Sequence, residues 1–377
     1  MSIAISGSSI TFPDQTQMST ATGGSFRNRI INGDMRIDQR NVGASVTPSS
    51  TAYVLDRWSL VISGAASKLS IQQSTTVPDG YKNSTVATVV ASYSPASNDV
   101  LVYQQAIEGF NFGDLAWGTS SAQAITISFW VRSSLIGTYS VMLLSNGTGG
   151  TYRNYIATYS ISSANVWEKK TITVLGDTTG TWDTGNTTGL YLAFDLGSGS
   201  GTATTAGSWA NGVARKSTGA NTFVSQSNGA TWYVTGVQLE QGSTATEFER
   251  RPIGTEIALC KRYYDKSYNI SVAPATATRN GMVVINTEAW QNSWRAVGSA
   301  FKFSCEMRTA PPSITYYDGA GTSNRVTVLW NSATPVNGQN PTLAFDIGTS
   351  GVVTRQTGGV TNQGSIHVAH YTADAEL

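Results

Sequence analysis

Apolar and polar positions alternate with a period of two along much of this chain, the signature of strands with one buried face. Ile125, Ile127, Phe129 and Val131 fall on one side; Thr126, Ser128, Trp130 and Arg132 fall on the other. A pleated strand turns successive side chains to opposite faces, so this run reads as a half-buried strand. The run Gly189-Leu190-Tyr191-Leu192-Ala193-Phe194-Asp195-Leu196 is apolar on both faces, as in a central sandwich strand. Ala230 to Leu239 is another strand. Asn146-Gly147, Asp183-Thr184-Gly185-Asn186 and Asn228-Gly229 mark turns between them. Many short strands without helical spacing predict a jelly-roll β-sandwich over 26–250. Residues 197–220, rich in Gly, Ser, Thr and Ala, read as one long loop.

The two ends of the chain read differently. Ile3 to Phe12 alternates apolar and small residues, Pro13-Asp14-Gln15 is a turn, and Thr20 to Ser25 has linker composition. A strand too short for its own core needs another chain to bury it. Residues 1–25 are therefore expected to be an extended anchoring arm, with Ile5, Ile10 and Phe12 as the side chains it buries. A boundary falls near Arg250-Arg251-Pro252. Beyond it, Thr255 is placed to cap a short helix from Glu256 to Tyr263, with Glu256 in the first turn. Ile257 and Leu259 would carry that helix into a second core. Strands return at 281–285, 301–308, 325–330, 343–347 and 365–371, and no repeat of solenoid or propeller length occurs. The predicted class is all-β: an N-terminal extended arm, a jelly-roll β-sandwich over 26–250, and a second, smaller C-terminal β-sandwich over 251–377 with a short linking helix.

Composition narrows the function. Charged residues are 12% of the 377, about half the ~25% of an ordinary globular chain. The 24 Lys+Arg and 23 Asp+Glu leave a net charge of +1, which supplies no field for nucleic acid or an anionic membrane. Aromatics at 10% argue against disorder. Cys260 and Cys305 are the only cysteines, so no disulfide framework holds the fold; two reduced thiols are expected, with pairing left open. His367 and His370 lack zinc-site spacing. No apolar stretch is long enough to span a bilayer, and Met1 to Met18 lacks the pattern of a secretory signal. The expectation is a protein made in a cytosol, with no nucleic acid partner and no membrane insertion.

Some blocks look familiar. Ser9-Ile10-Thr11-Phe12-Pro13-Asp14-Gln15-Thr16-Gln17 resembles the short motif at the head of many bacteriophage tail fibre and appendage proteins, with Gln15 where glycine usually sits. Asn32-Gly33-Asp34-Met35-Arg36-Ile37-Asp38-Gln39-Arg40, followed by Leu55-Asp56-Arg57-Trp58, resembles the opening of jelly-roll modules in phage virion proteins. Gln105 to Gly109, Leu115 to Gly118, Ser128 to Arg132, Val234 to Gly242 and Phe248 to Tyr264 follow in the same order as in that family. The resemblance implies a sandwich related to carbohydrate-binding modules, carried as a homotrimer by a tail fibre or other receptor-binding virion protein. Its expected partners are other virion tail proteins and host cell-surface polysaccharide, and its expected location is the virion. A purely structural virion component (tail adaptor, head fibre or decoration protein) without glycan binding is the alternative.

Sugar binding needs flat apolar ring faces and nearby groups that bond hydroxyls. Trp130 and Arg132 share one strand face, Tyr191 and Asp195 share another, and Gln104 offers an amide on a third strand. These five are the candidate glycan-binding residues; the competing view is Trp130 packed on a loop and Arg132 as a solvated charge. Glycoside cleavage would need two carboxylates about 5 Å or about 6.5–9.5 Å apart. Asp56, Glu108, Asp195, Glu240 and Glu247 show no such spacing, so the chain reads as a non-enzyme. No cofactor is expected; Asp34, Asp56 and Glu240 read first as plain surface carboxylates, with a structural calcium ion, which takes hard oxygen donors, as the alternative.

Overall fold

The computed structural model describes residues 4–6, 9–11, 17–19, 26–288, 296–329, 334–340, 342–358 and 366–377. Two antiparallel sheets face each other across the N-terminal two thirds. One has seven strands, in the order Trp209–Asn211, Arg153–Ile161, Gly137–Leu144, Thr188–Asp195, Val100–Glu108, Trp58–Ser63 and Ala52–Leu55. The other has five: Glu168–Val174, Ile125–Ser133, Thr231–Gln241, Ser84–Val89 and Leu69–Ser74. The chain crosses repeatedly between the sheets, giving the jelly-roll sandwich expected from the strand pattern. Period two holds in part: Ile125, Ile127, Phe129 and Val131 are fully buried and Trp130 and Arg132 stay half-buried on the outside, but Thr126 and Ser128 on that same side are buried as well. Between the sheets Trp58 stacks on Tyr103 at 5.0 Å, and Trp232 meets Phe194 at 5.4 Å and Tyr103 at 6.3 Å. Buried ring pairs of this kind add to the area they remove from water.

Residues 197–220 are not a plain loop. Ala203–Thr204 pairs in parallel with Lys216–Ser217, and Trp209–Asn211 adds an edge strand. Ala206 and Ala214 from this segment pack on Val102, Met142, Leu144, Ile156 and Ala193, covering part of the outer face of the seven-stranded sheet. Small residues hide these contacts from a sequence reading because they lack a periodic apolar pattern. The N-terminal arm also differs from a single extended strand. Ala4–Ser6, Ser9–Thr11 and Gln17–Ser19 form a three-stranded antiparallel meander in which Ile5 stands opposite Ile10. Phe12 lies outside the described residues.

The helix runs Ile253–Lys261, starting earlier than expected, with Pro252 at its N-cap and no side-chain cap. Thr255 therefore caps nothing and sits inside the first turn. The buried side chains of the helix are Glu256 and Cys260. Ile257 and Leu259 are only partly buried and pack with Ile31, Ile37 and Tyr263, not into the core of the C-terminal unit. Among the described residues no helix is long and apolar enough to cross a membrane.

The C-terminal strands join in one nine-stranded hydrogen-bonded network. Its hub, Ile366–Asp374, pairs with Val326–Leu329, Val283–Glu288, Tyr264–Lys266 and Ile314–Tyr317. Phe301, Phe303, Met307, Val326, Val352 and Tyr371 form its core. The strand expected over 301–308 ends at Lys302. Phe303 and Met307 reach the core from irregular chain, held by backbone bonds to Ser350 (3.1 Å) and Thr349 (2.8 Å). Both cysteines are free thiols, Cys260 buried and Cys305 half-buried.

The block 32–40 and the block 55–58 join the two units. Gly33 runs so close to Val237 that a Cβ would lie 2.2 Å from the Val237 carbonyl oxygen, so this position accepts only glycine. The Asn32 side chain donates to the carbonyls of Ile37 (2.8 Å) and Asp56 (3.1 Å), and the Trp58 indole donates to the Asn32 carbonyl at 3.1 Å. Asp56 accepts from the backbone and side chain of Gln39, both at 2.6 Å. Arg57, fully buried, pairs with Glu376, donates to the Ala106 carbonyl at 2.6 Å and lies 3.5 Å from the centre of the Tyr263 ring. Arg40 spans Asp374 and Glu376 at 2.7 and 3.2 Å. Glu108 accepts from Arg262 at 2.7 Å and Tyr263 at 2.6 Å. Burial alone would raise the Glu108 pKa, but those two donors hold it below the usual range.

Two consequences are measurable. A buried charge that loses its partner is strongly destabilising, whereas an apolar replacement of both partners often is not. Glu376→Ala is expected to cost about 3–5 kcal/mol in denaturant unfolding, and Arg57→Met with Glu376→Leu to recover most of it. His370, stacked 3.7 Å from Tyr268, is held down to about 4 by burial, against the pull of the Thr278 carbonyl. The unfolded imidazole protonates near 6.5. Its contribution is therefore complete above pH 6.5 and lost as pH falls toward 4. His370→Gln is expected to flatten that part of the stability profile.

Candidate functional site

The outer face of the five-stranded sheet carries a band of rings and cations. Strand register sets its first members: Tyr233 stands opposite Arg132, and Trp130 stands between Thr235 and Lys169. The Arg132 guanidinium lies 5.0 Å from the Tyr233 ring centre, and its Nε donates to the Asn165 carbonyl at 2.8 Å. Trp167 meets Tyr233 edge-on at 6.0 Å. The turn that presents Trp167 is tied by Glu168, which accepts from the backbone of Ser162 and Ser163, each at 2.9 Å, and from Lys170 at 2.5 Å. Burial would raise the Glu168 carboxyl, but Lys170 and these donors hold it down to about 2.

Burial raises the pKa of the Tyr81 phenol, against the neighbouring Arg250 and Trp130. Tyr81 packs against Phe248 at 5.6 Å, and the Arg250 guanidinium lies 4.7 Å from the Tyr81 ring and 5.7 Å from Phe248. A bulge makes room for this arrangement. The register of Thr231–Gln241 shifts between Thr235 and Gln238, and Gly236 has a φ of +61°. A Cβ there would lie 2.6 Å from the Tyr81 hydroxyl. Trp130, Arg132, Tyr233, Trp167, Tyr81 and Phe248 are all half-buried, and Lys169 and Arg250 are exposed. Neither Lys169 nor Arg132 has a carboxylate partner among the described residues. Flat rings with free donors beside them suit the C–H faces and hydroxyls of a saccharide.

The five candidate residues do not form one site. Trp130 and Arg132 lie in the aromatic band. Gln104, Tyr191 and Asp195 lie on the outer face of the other sheet, across the sandwich. Gln104 and Tyr191 are half-buried there. Asp195 is 1% exposed and its Oδ1 accepts from the Ser198 backbone at 2.9 Å, so it is withdrawn from any ligand. Tyr233 was legible from its alternation with buried Trp232. Trp167, Tyr81 and Phe248 sit in connecting segments, where no periodicity marks which side they face.

Four of the five carboxylates weighed for catalysis are engaged elsewhere. Asp56 holds Gln39, Glu108 holds Arg262, and Glu240 accepts from Thr246 at 2.7 Å and Gln238 at 2.8 Å. Asp56, Glu108, Asp195 and Glu240 are buried, and Glu247 alone of the five is exposed. Of the three calcium candidates, Asp34 pairs with Arg36 at 2.5 Å, while Asp56 and Glu240 are occupied as above. Among the described residues no three metal-ligating side chains cluster.

No family profile and no curated protein matches the chain. Several solved structures are similar to part of the chain. The enzymatically active domain of tailspike protein 4 from bacteriophage CBA120 is 12% identical, with a TM-score of 0.32 over 57% of this chain. This chain spans 22% of the length of that one. A CBM4 module is 15% identical, with a TM-score of 0.29 over 55% of this chain and 99% of its own. A family 11 carbohydrate-binding module from Clostridium thermocellum, in complex with a mixed-linked tetrasaccharide, is 13% identical. Its TM-score is 0.27 over 52% of this chain and 96% of its own.

The bulge has a direct test. Gly236→Ala forces a side chain into a left-handed backbone position and against Tyr81. It is expected to cost about 1–3 kcal/mol in thermal or denaturant unfolding.

Proposed function

We propose that this chain is a receptor-binding component of a bacteriophage virion that attaches to host cell-surface polysaccharide through the aromatic band of its five-stranded sheet. The observation that carries the binding half of this reading is the band itself: Trp167, Tyr233 and Trp130 on one sheet face, with Arg132 and Lys169 free of acid partners beside them. The phage half is supported by the ordered blocks from Ser9 to Tyr264 that resemble tail fibre and appendage proteins. On this reading the 1–25 segment docks on another virion tail protein by adding its short strands to a partner. Trimerisation through the aromatic C-terminal unit multiplies a weak sugar affinity by avidity. Saccharide is held and released without bond cleavage, and the assembled protein resides in the virion.

Losing one stacking ring is worth about 0.5–1.5 kcal/mol beyond its area. Trp130→Ala is therefore expected to weaken binding of purified protein to host-derived polysaccharide by about tenfold, with Tyr233→Ala similar and thermal unfolding confirming the fold. Wild-type protein that binds no host polysaccharide, or binding unchanged in both folded variants, would return the chain to the role of a structural virion part.

A further inference from the structure

We infer that the opposite face of the sandwich holds a second saccharide site, built on Arg215, Tyr191 and Gln104, that takes a sugar bearing a carboxylate (a hexuronate). It is separate from the aromatic band and does not rest on that reading.

The segment that crosses the seven-stranded sheet brings Arg215 back over its outer face, where the Arg215 backbone donates to the Thr202 carbonyl at 2.8 Å. Met142, Ala193 and Gln104 stand directly opposite one another on three adjacent strands beneath it. Met142 and Ala193 are fully buried. What reaches the surface around them is the Arg215 head, the half-buried Tyr191 and Gln104, and Tyr152, 43% exposed.

Like Arg132, Arg215 is half-buried without a carboxylate partner among the described residues, but the acceptor it does have is a thioether and not a carbonyl. Arg57, Arg153 and Arg251 each meet a carboxylate where they are withdrawn from water. Arg308 donates to the carbonyls of Ala375, Asn186 and Glu376. Arg215 has only the Met142 thioether, at 3.5 Å, and no carboxylate among the described residues. A thioether is a weak acceptor. Burial lowers the pKa of Arg215, and the groups acting against that are the Tyr152 and Tyr191 phenols. Asp195 lies further along the Tyr191 strand but is turned to Ser198, with Lys216 facing its charge.

A partly desolvated cation without an anion is a cost that an incoming oxyanion removes. A guanidinium receives a carboxylate with two parallel N–H bonds. The neighbours specify the rest of the ligand. Tyr191 and Tyr152 offer ring faces, and the Gln104 amide, about 10 Å from the Met142 strand across two strand spacings, offers a donor and an acceptor for hydroxyls. That set fits a sugar acid better than a bare anion.

The test titrates full-length protein with trigalacturonate, maltotriose and acetate at low and high salt. Trigalacturonate is expected to bind at least tenfold tighter than either of the others and to weaken with salt. Arg215→Gln is expected to remove that preference, Arg215→Lys to lose part of it, and Gln104→Ala to weaken trigalacturonate without creating affinity for maltotriose. Trp130→Ala is expected to leave the trigalacturonate preference in place, which separates this site from the aromatic band. Equal binding of acidic and neutral sugar, acetate as effective as trigalacturonate, no binding of trigalacturonate, or loss through Trp130→Ala in place of Arg215→Gln would each overturn the inference. Should Arg215→Gln fail to fold, Arg215→Lys and Gln104→Ala carry the same decision.

Discussion

A guanidinium buried to the depth of Arg57 has to be met by an anion, and the anion comes from Glu376, at the far end of the chain. That pairing, with Arg40 bridging Asp374 and Glu376 and Glu108 holding Arg262 and Tyr263, fixes how the C-terminal sheet sits on the sandwich. Buried ion pairs are weak contributors to net stability because desolvation offsets their attraction. Their geometric demand is strict, however: an apolar contact tolerates sliding, whereas a charge in low dielectric does not. The junction therefore defines one arrangement of the two units more than it deepens the well.

This explains why the blocks most reminiscent of a known family, 32–40 and 55–58, contribute nothing to either candidate sugar surface. Asn32, Gln39, Asp56, Arg57 and Trp58 are spent on joining the first strands to the helix and the last strand. The two ligand surfaces proposed above are the outer faces of the two sheets. On one, an open row of rings sits on regular strands with a bulge at Gly236 that admits Tyr81. On the other, the crossing segment covers part of the face and leaves Arg215 without a carboxylate among the described residues.

The two faces differ in chemistry for a structural reason. Strand register builds the centre of the aromatic band: Arg132 with Tyr233, Trp130 with Lys169. The seven-stranded face depends on a return of chain from residues far along the sequence, so its polar groups come from unrelated segments. A flat ring surface accepts many saccharides, while a single desolvated cation selects for charge.

The amino-acid sequence by itself determined the all-β class, the inward apolar side of Ile125–Ser133, the turns at Asn146-Gly147 and Asn228-Gly229, and the existence of a helix after Pro252, because each depends on local periodicity or turn chemistry. It placed Trp130 and Arg132 on one outward face for the same reason. Tertiary structure alone decided that Gln104, Tyr191 and Asp195 lie across the sandwich from them, that Asp195 is buried, and that Trp167, Tyr81 and Phe248 join Trp130. Which strands become neighbours is set by long-range pairing, and no local pattern records it. The start of the helix moved for a smaller cause: Pro252 already has the backbone angle a helix start needs, so Thr255 was not required as a cap.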